Sequence, residues 1–246
     1  MALRVYTKEY YSAKKQAAHF FSYISLTVGA MMLFWSAYPF ISFEIYSRLF
    51  IQRNIASPVS AGRAINSLAD ASSVLGSYNV YSSNLRDFVQ ADLWFPSKPQ
   101  TAPPAKIDIK EYSISIPKLN IVNAKVSVGG TDLAHSLVHY LPTTLPGENG
   151  NVAIFGHSAL PYNYDPKDYH KIFTFLPSLE KGDKIFAKVG DKTYEYEAFD
   201  IFIVTPDQVS ILDQKYDAAY MTVVTCVPPG ATTNRLVVRS KLVNTL

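Results

Sequence analysis

The sequence predicts a mainly β protein, a closed barrel or sandwich of about eight strands with short helices, preceded by a single N-terminal transmembrane helix. Three observations carry this prediction. Residues 20–42 contain no Asp, Glu, Lys or Arg. Residues 106–246 break into short runs rich in Ile, Val, Tyr and Phe, bounded by Gly, Asp, Asn and Pro. Between them lies a stretch rich in Ser, Ala, Asn and Pro with no sustained apolar period. Hydrophobic residues make up 48% of the 246 and charged residues 17%, which excludes a disordered chain or a coiled coil.

The apolar segment FFSYISLTVGAMMLFWSAYPFIS is long enough, at about 1.5 Å per residue, to cross a hydrocarbon core of roughly 30 Å. Tyr23, Trp35, Tyr38 and Phe40 include the amphipathic aromatics that favour the lipid–water interface. A buried core helix would normally be shorter and have apolar helical neighbours, and a signal peptide would show a small-residue cleavage site. Neither pattern is evident. Arg4, Lys8, Lys14 and Lys15 precede the segment against Glu9, and Arg48 and Arg53 follow it against Glu44. The excess of basic residues on the N-terminal side puts residues 1–19 in the cytoplasm and everything from residue 43 outside.

Residues 43–105 read as an extracytoplasmic stalk ending in a linker, since Pro96, Pro99, Pro103 and Pro104 fall close together. Residues 106–246 form the expected barrel domain. Strands are predicted at 112–117, 121–128, 152–155, 184–189, 193–204, 220–225 and 235–243, with helical turns between 169 and 179. The formal charge of +3 is too small and too dispersed for a nucleic-acid surface. The chain has one cysteine, so it forms no intramolecular disulfide and no multi-cysteine zinc site.

That cysteine, Cys226, ends the run AAYMTVVTC before Val-Pro-Pro-Gly, which is expected to present a thiol at a barrel mouth. A cysteine can also simply pack. Among the five histidines, His157 follows a strand-like run and a glycine, a strand-end position where reactive groups tend to lie. His139 follows another short apolar run, and on spacing alone either could approach Cys226. Arg235 opens the last predicted strand nine residues after the cysteine, so a hairpin can bring the two together. A permanently charged planar donor beside a thiol favours the thiolate and can bind an oxyanion. Arg239 reads as a surface residue.

The segments TVVTC and NRLVVRS together resemble the Thr-Leu-x-Thr-Cys and loop-arginine signature of sortases, membrane-bound cysteine transpeptidases, with Val223 in place of the leucine. HYLPTTLPGENGNVAIFGHS is similar to the family's lead into the strand bearing its histidine, and FTFLPSLEKGDKI and SISIPKLNI match further segments in the same order. The resemblance implies an eight-stranded barrel, with Cys226 as nucleophile, His157 as proton-transfer partner and Arg235 as ligand of the oxyanion or substrate backbone. Thr225 is expected to shape the cleft. Val209, Ile211 and Leu212 are expected to contact the Leu-Pro part of a Leu-Pro-x-Thr-Gly-like signal. The implied partners are surface proteins carrying such a C-terminal signal, an amino acceptor from a cell-wall precursor or a pilin lysine, and membrane lipid around residues 20–42. No nucleic acid, metal or cofactor is implied.

Three departures from the family pattern stand out. Ser158 follows the histidine where many relatives have arginine, and the segment 161–170 looks extended. The Asp92–Pro96 stretch lacks the Asp-Pro-aromatic motif of pilin-polymerising members, so Trp94 is expected to pack on the outside of the barrel rather than act as a lid. Leu141–Leu145 mimics a sorting signal but leads into a predicted strand. A thiol hydrolase, or a catalytically silent peptide-binding module, is the alternative to a transpeptidase.

Overall fold

The computed structural model describes residues 13–50, 89–95 and 107–246. The stalk between 51 and 88, the linker prolines, Arg4, Lys8 and Arg53 lie outside the described residues.

Helix α1 (Ala13–Phe50) contains one stretch, Ala18–Tyr38, long and apolar enough to be a candidate membrane span. Phe20, Phe21, Leu26, Met31, Leu33 and Trp35 are all exposed on it.

Eight strands close the second unit: β1 (Glu111–Ile116), β2 (Ile121–Val128), β3 (Leu137–Tyr140), β4 (Gly150–Phe155), β5 (Lys184–Val189), β6 (Lys192–Val204), β7 (Ala219–Val227) and β8 (Asn234–Thr245). They run β1-β2-β3-β4-β7-β8-β6-β5, with β5 returning to β1. The β2–β3 and β4–β7 pairs are parallel and the rest antiparallel. Closure pairs every edge, which removes the exposed ladders that would otherwise invite aggregation.

Alternation sets the interior. Tyr112, Ile114 and Ile116 of β1 are buried while their neighbours are more exposed. β4 and most of β7 are buried on both faces. The reason is a second apolar layer outside the barrel. Val138, Tyr140, Ala153, Phe155, Phe202, Val204, Val224, Cys226 and Val237 form one cluster with Ala91, Trp94, Phe95, Leu133, Ile211 and Leu212. It draws on β3, β4, β6, β7 and β8 but on no residue of β1, β2 or β5, so it covers the outer face of the sheet. Val152, Ile154, Val223, Leu236 and Val238 alternate with these residues and fill the barrel.

β3 is absent from the sequence reading. It has four residues, all buried, and so shows no alternation. Parallel pairing with β2 also leaves no tight turn between them to mark it. The sorting-signal mimic at Leu141–Leu145 lies in the β3–β4 connection, where Leu141 packs against the outer cluster.

Candidate active site

β7 and β8 place Cys226 opposite Arg235, Thr225 opposite Leu236 and Val224 opposite Val237. β4 pairs with β7 in parallel up to Phe155 opposite Val224, and Gly156 N–H donates to the Val224 carbonyl at 3.2 Å. Two further residues along that register bring His157 level with Cys226. The predicted cysteine, histidine and arginine thus lie on three adjacent strand ends. The Pro228–Gly230 turn closes the β7–β8 connection, with Ala231 N–H bonded to the Pro228 carbonyl. The Val227–Pro228 peptide is cis.

The glycine before the histidine has a steric purpose. Gly156 has no positive φ, but a Cβ on it would come within 2.5 Å of the Leu137 and Phe173 side chains. Close packing, rather than backbone freedom, requires glycine here.

Cys226 is not at an open mouth. β7 continues through it to Val227, and the residue is 4% exposed. It is covered by residues 89–95, which hydrogen-bond to the β2–β3 connection: Ala91 N–H to the Thr131 carbonyl (2.8 Å), Leu133 N–H to the Val89 carbonyl (3.0 Å) and Thr131 Oγ1 to Gln90 Oε1 (2.9 Å). Asp92 hydrogen-bonds Tyr140. This strap delivers Trp94, fully buried, onto Phe155 in a stack of 5.3 Å and 11°, and within 5.9 Å of the His157 ring. Trp94 therefore packs on the outer face of the barrel, as expected, but directly over the three candidate residues. The signal in the sequence was an isolated Trp-Phe pair beside a linker, where a linker alone would need no large apolar side chain.

Arg235 is 1% exposed. Its guanidinium donates to the carbonyls of Thr232 (2.8 Å), Asn234 (3.1 Å) and, from Nη2, Trp94 (3.2 Å), while Nε has no partner. The charge lies 5.3 Å from the Trp94 ring centroid and 6.0 Å from that of Phe95. No carboxylate among the described residues pairs with it. A buried cation held only by carbonyls and aromatic faces is poised for an anion beside it.

Burial pushes the Cys226 thiol pKa up, opposed by the Arg235 charge, and pulls that of Arg235 down, opposed by the cysteine. Burial also lowers His157 to about 4, helped by His170 and opposed by Asp132. With the strap closed, the stable pair at neutral pH is therefore thiol and neutral imidazole. Thiolate and imidazolium form together only as a minor species or when water enters.

The other predicted residues divide. Ile211 and Leu212, on a 3₁₀ turn over Val209–Leu212, are buried in the same cluster as Cys226, with Val209 packed against it. That loop is pinned by Asn151: its Nδ2 donates to the Ile211 (3.1 Å) and Asp213 (3.3 Å) carbonyls, and Thr222 Oγ1 donates to its Oδ1 (2.7 Å). Thr225 does not line the cleft. Alternation turns it away from Cys226, and its hydroxyl donates to the Gly156 carbonyl at 2.8 Å, tying β7 to the His157 strand end. His139 faces the barrel interior, edge-on to Tyr112, so it cannot approach the thiol. Ser158 donates to the Cys226 carbonyl. Sequence reasoning passed over Asn151, whose contacts join segments 60 to 71 residues apart, and His170, which a turn of the 161–170 segment brings back to His157.

Fold and site together combine an eight-stranded closed barrel with a cysteine, a histidine and an arginine gathered on its outer face. Residues 114–243, more than half of the chain, match the Sortase domain. The chain belongs to the sortase family. It is 26% identical over 218 residues to Sortase SrtE1 of Streptomyces coelicolor, covering 78% of this chain and 60% of that protein. It is 28% identical over 134 residues to Sortase A of Streptococcus agalactiae, covering 54% and 52%. The match thus spans about half to three-fifths of these relatives. Among solved structures it resembles Sortase A from Corynebacterium diphtheriae (TM-score 0.51, 25% identity, 72% of this chain and 86% of that one). It also resembles Sortase C-3 from Streptococcus pneumoniae (TM-score 0.50, 27% identity, 67% and 76%).

Proposed function

We propose that this chain is a cysteine transpeptidase anchored in the cell membrane by residues 20–42, with residues 106–246 as its extracytoplasmic catalytic domain. It cleaves a Leu-Pro-x-Thr-Gly-like signal and passes the acyl group to an amine. The observation that carries this reading is the Cys226–Arg235 cross-strand pair, with His157 two residues beyond the paired end of β4 and a buried guanidinium that has no carboxylate partner among the described residues.

The chemistry follows from these groups. The Cys226 thiolate attacks the threonine carbonyl carbon, and Arg235 donates hydrogen bonds to the oxyanion. The C–N bond breaks as His157 gives its proton to the departing glycine amine, leaving a thioester. An incoming amine then attacks the thioester carbon and yields a proton to His157, and the C–S bond breaks to restore the thiolate. Val209, Ile211 and Leu212 supply an apolar wall for the Leu-Pro part of the signal. Surface proteins bearing the signal, and a cell-wall precursor or pilin lysine, fit as donor and acceptor. Trp94 must leave its stack before a peptide carbonyl can reach the sulfur.

The test uses the full chain in detergent micelles, a library of Leu-Pro-x-Thr-Gly-like peptides and hydroxylamine, read by mass spectrometry. A hydroxamate formed by the intact protein and lost in Cys226→Ala is the expected result. If peptides stay uncleaved even with Trp94→Ala, which uncovers the thiol, the transpeptidase reading fails. Release of free carboxylate at unchanged rate when hydroxylamine or another amine is in excess would instead make the protein a hydrolase.

A further inference from the structure

Among the described residues His157 has no side-chain hydrogen-bond partner that fixes its ring, and its Nε2 is buried without one. Aromatic faces hold it instead. Besides Trp94, the ring of His170 lies parallel to it, at 4° and 6.3 Å between centroids. His170 ends the extended segment 161–170, and its position is closely determined. Its backbone N–H and its Nδ1 both bond Asp168 Oδ1, at 3.0 and 3.2 Å. Lys171 N–H bonds the Asp168 carbonyl, and Phe173 N–H returns to the carbonyl of His157 itself at 2.9 Å. The loop therefore starts at one histidine, turns, and is tied back so that the second histidine faces the first.

The two rings differ in access to water. The His170 side chain is 63% exposed, whereas His157 is half-buried beside Trp94. Histidine is the side chain that can carry either charge state without a large perturbation. A positive charge about 6 Å from His157 opposes a second one there.

We propose that His170 is a positioning residue for the transfer reaction, an acid-responsive brake: when it takes up a proton it suppresses imidazolium at His157 and slows acyl transfer. This rests on the reading of His157 as the proton donor. Asp132 acts on His157 in the opposite sense. Cys226 on β7, Arg235 on β8, and Asp92 of the strap with Tyr140 of β3 are further charged or titratable groups around the site, and Asp168 and Lys171 accompany His170. Between effective dielectrics of about 20 and 80, a unit charge at this separation displaces the His157 titration by about 0.5–2 pH units, or about 3- to 80-fold in imidazolium.

The experiment is a titration of the full chain in micelles, with histidine labelled at Cε1 and the His157 resonance assigned by its loss in His157→Ala. In His170→Gln the His157 midpoint should rise by about 0.5–2 pH units. In His170→Arg, whose charge is permanent, it should stay at or below the wild-type value. The transfer rate of wild type should step down as the pH is lowered. His170→Arg should be slow throughout, and His170→Gln should lack the step. An unmoved midpoint in His170→Gln, or the same rise in both variants, overturns the brake, because packing alone would not follow charge. If His157→Ala retains acyl transfer, the proton-donor reading fails separately, whatever the titration shows.

Discussion

Replacing Trp94 with alanine should uncover Cys226 without unfolding the barrel. The indole is fully buried, stacks on Phe155 and lies under the Arg235 charge. Burying about 200 Å² at about 25 cal/mol per Å² contributes about 5 kcal/mol, and truncating a buried tryptophan typically costs about 3–5 kcal/mol. These contacts hold the strap onto the sheet, while the eight-stranded ladder contains none of residues 89–95. The loss therefore falls on the local opening equilibrium. A change of about 3 kcal/mol corresponds to about a hundredfold greater open population.

Alkylation of Cys226 by iodoacetamide at pH 7.5 reads that population. The backbone bonds of the strap to Thr131 and Leu133 persist in the variant, so a gain of at least about tenfold is expected. Hydration of the exposed thiol also relieves the burial that raises its pKa, which accelerates labelling in the same direction. Leu93→Ala is the control, since Leu93 is 40% exposed and should label at the wild-type rate. Equal labelling of Trp94→Ala and wild type, with the melting temperature retained, would refute the reasoning.

Arg235→Lys should lower hydroxamate formation by about 10²-fold or more, because an ammonium cannot reproduce the planar donor fork; near wild-type turnover would contradict it. Gly156→Ala should cost about 1–3 kcal/mol through overlap with Leu137 and Phe173, and should reduce transfer by displacing His157; thermal denaturation and a rate assay check both. His139 is held near pKa 4 by burial, below the usual histidine value of about 6.5, so its contribution is complete above pH 6.5 and is lost as the pH falls toward 4. His139→Leu should remove about 2 kcal/mol of the stability lost between pH 6.5 and 5, measured by melting at the two pH values, and an unchanged slope would count against it.

Legibility in the sequence followed the range of the contacts. β2 and β5 begin and end where alternation and turn residues put them, because each is decided by its own side chains. Cys226, His157 and Arg235 were found through local motifs at strand ends, and the barrel supplied their register. What escaped depends on contacts across long separations. Trp94 lies 141 positions before the arginine whose Nη2 its carbonyl accepts, and nothing near either residue encodes that pairing. The expectation of an open thiol failed for the same reason: the strand end is where it was placed, but a distant segment covers it. The family resemblance implies a place in the cleft for Thr225, and the two-residue period of a strand turns it to the other face.

The Arg235–Trp94 bond links closure to the proposed chemistry. In the closed state a peptide carbonyl already occupies one guanidinium donor, and the buried Nε remains unpaired. Opening the strap by itself exchanges that carbonyl for water and removes the aromatic faces from the charge, which opposes exposure of an idle thiol. A substrate peptide brings its own carbonyl to the same donors and an apolar Leu-Pro segment to the vacated surface, so it restores what opening removes. Apparent substrate affinity is then the intrinsic affinity scaled by the open fraction. A variant that opens the strap should therefore lower KM in proportion to its gain in alkylation rate while leaving kcat close to wild type. If kcat rises and KM stays fixed, Trp94 restrains the chemical step itself rather than access to it.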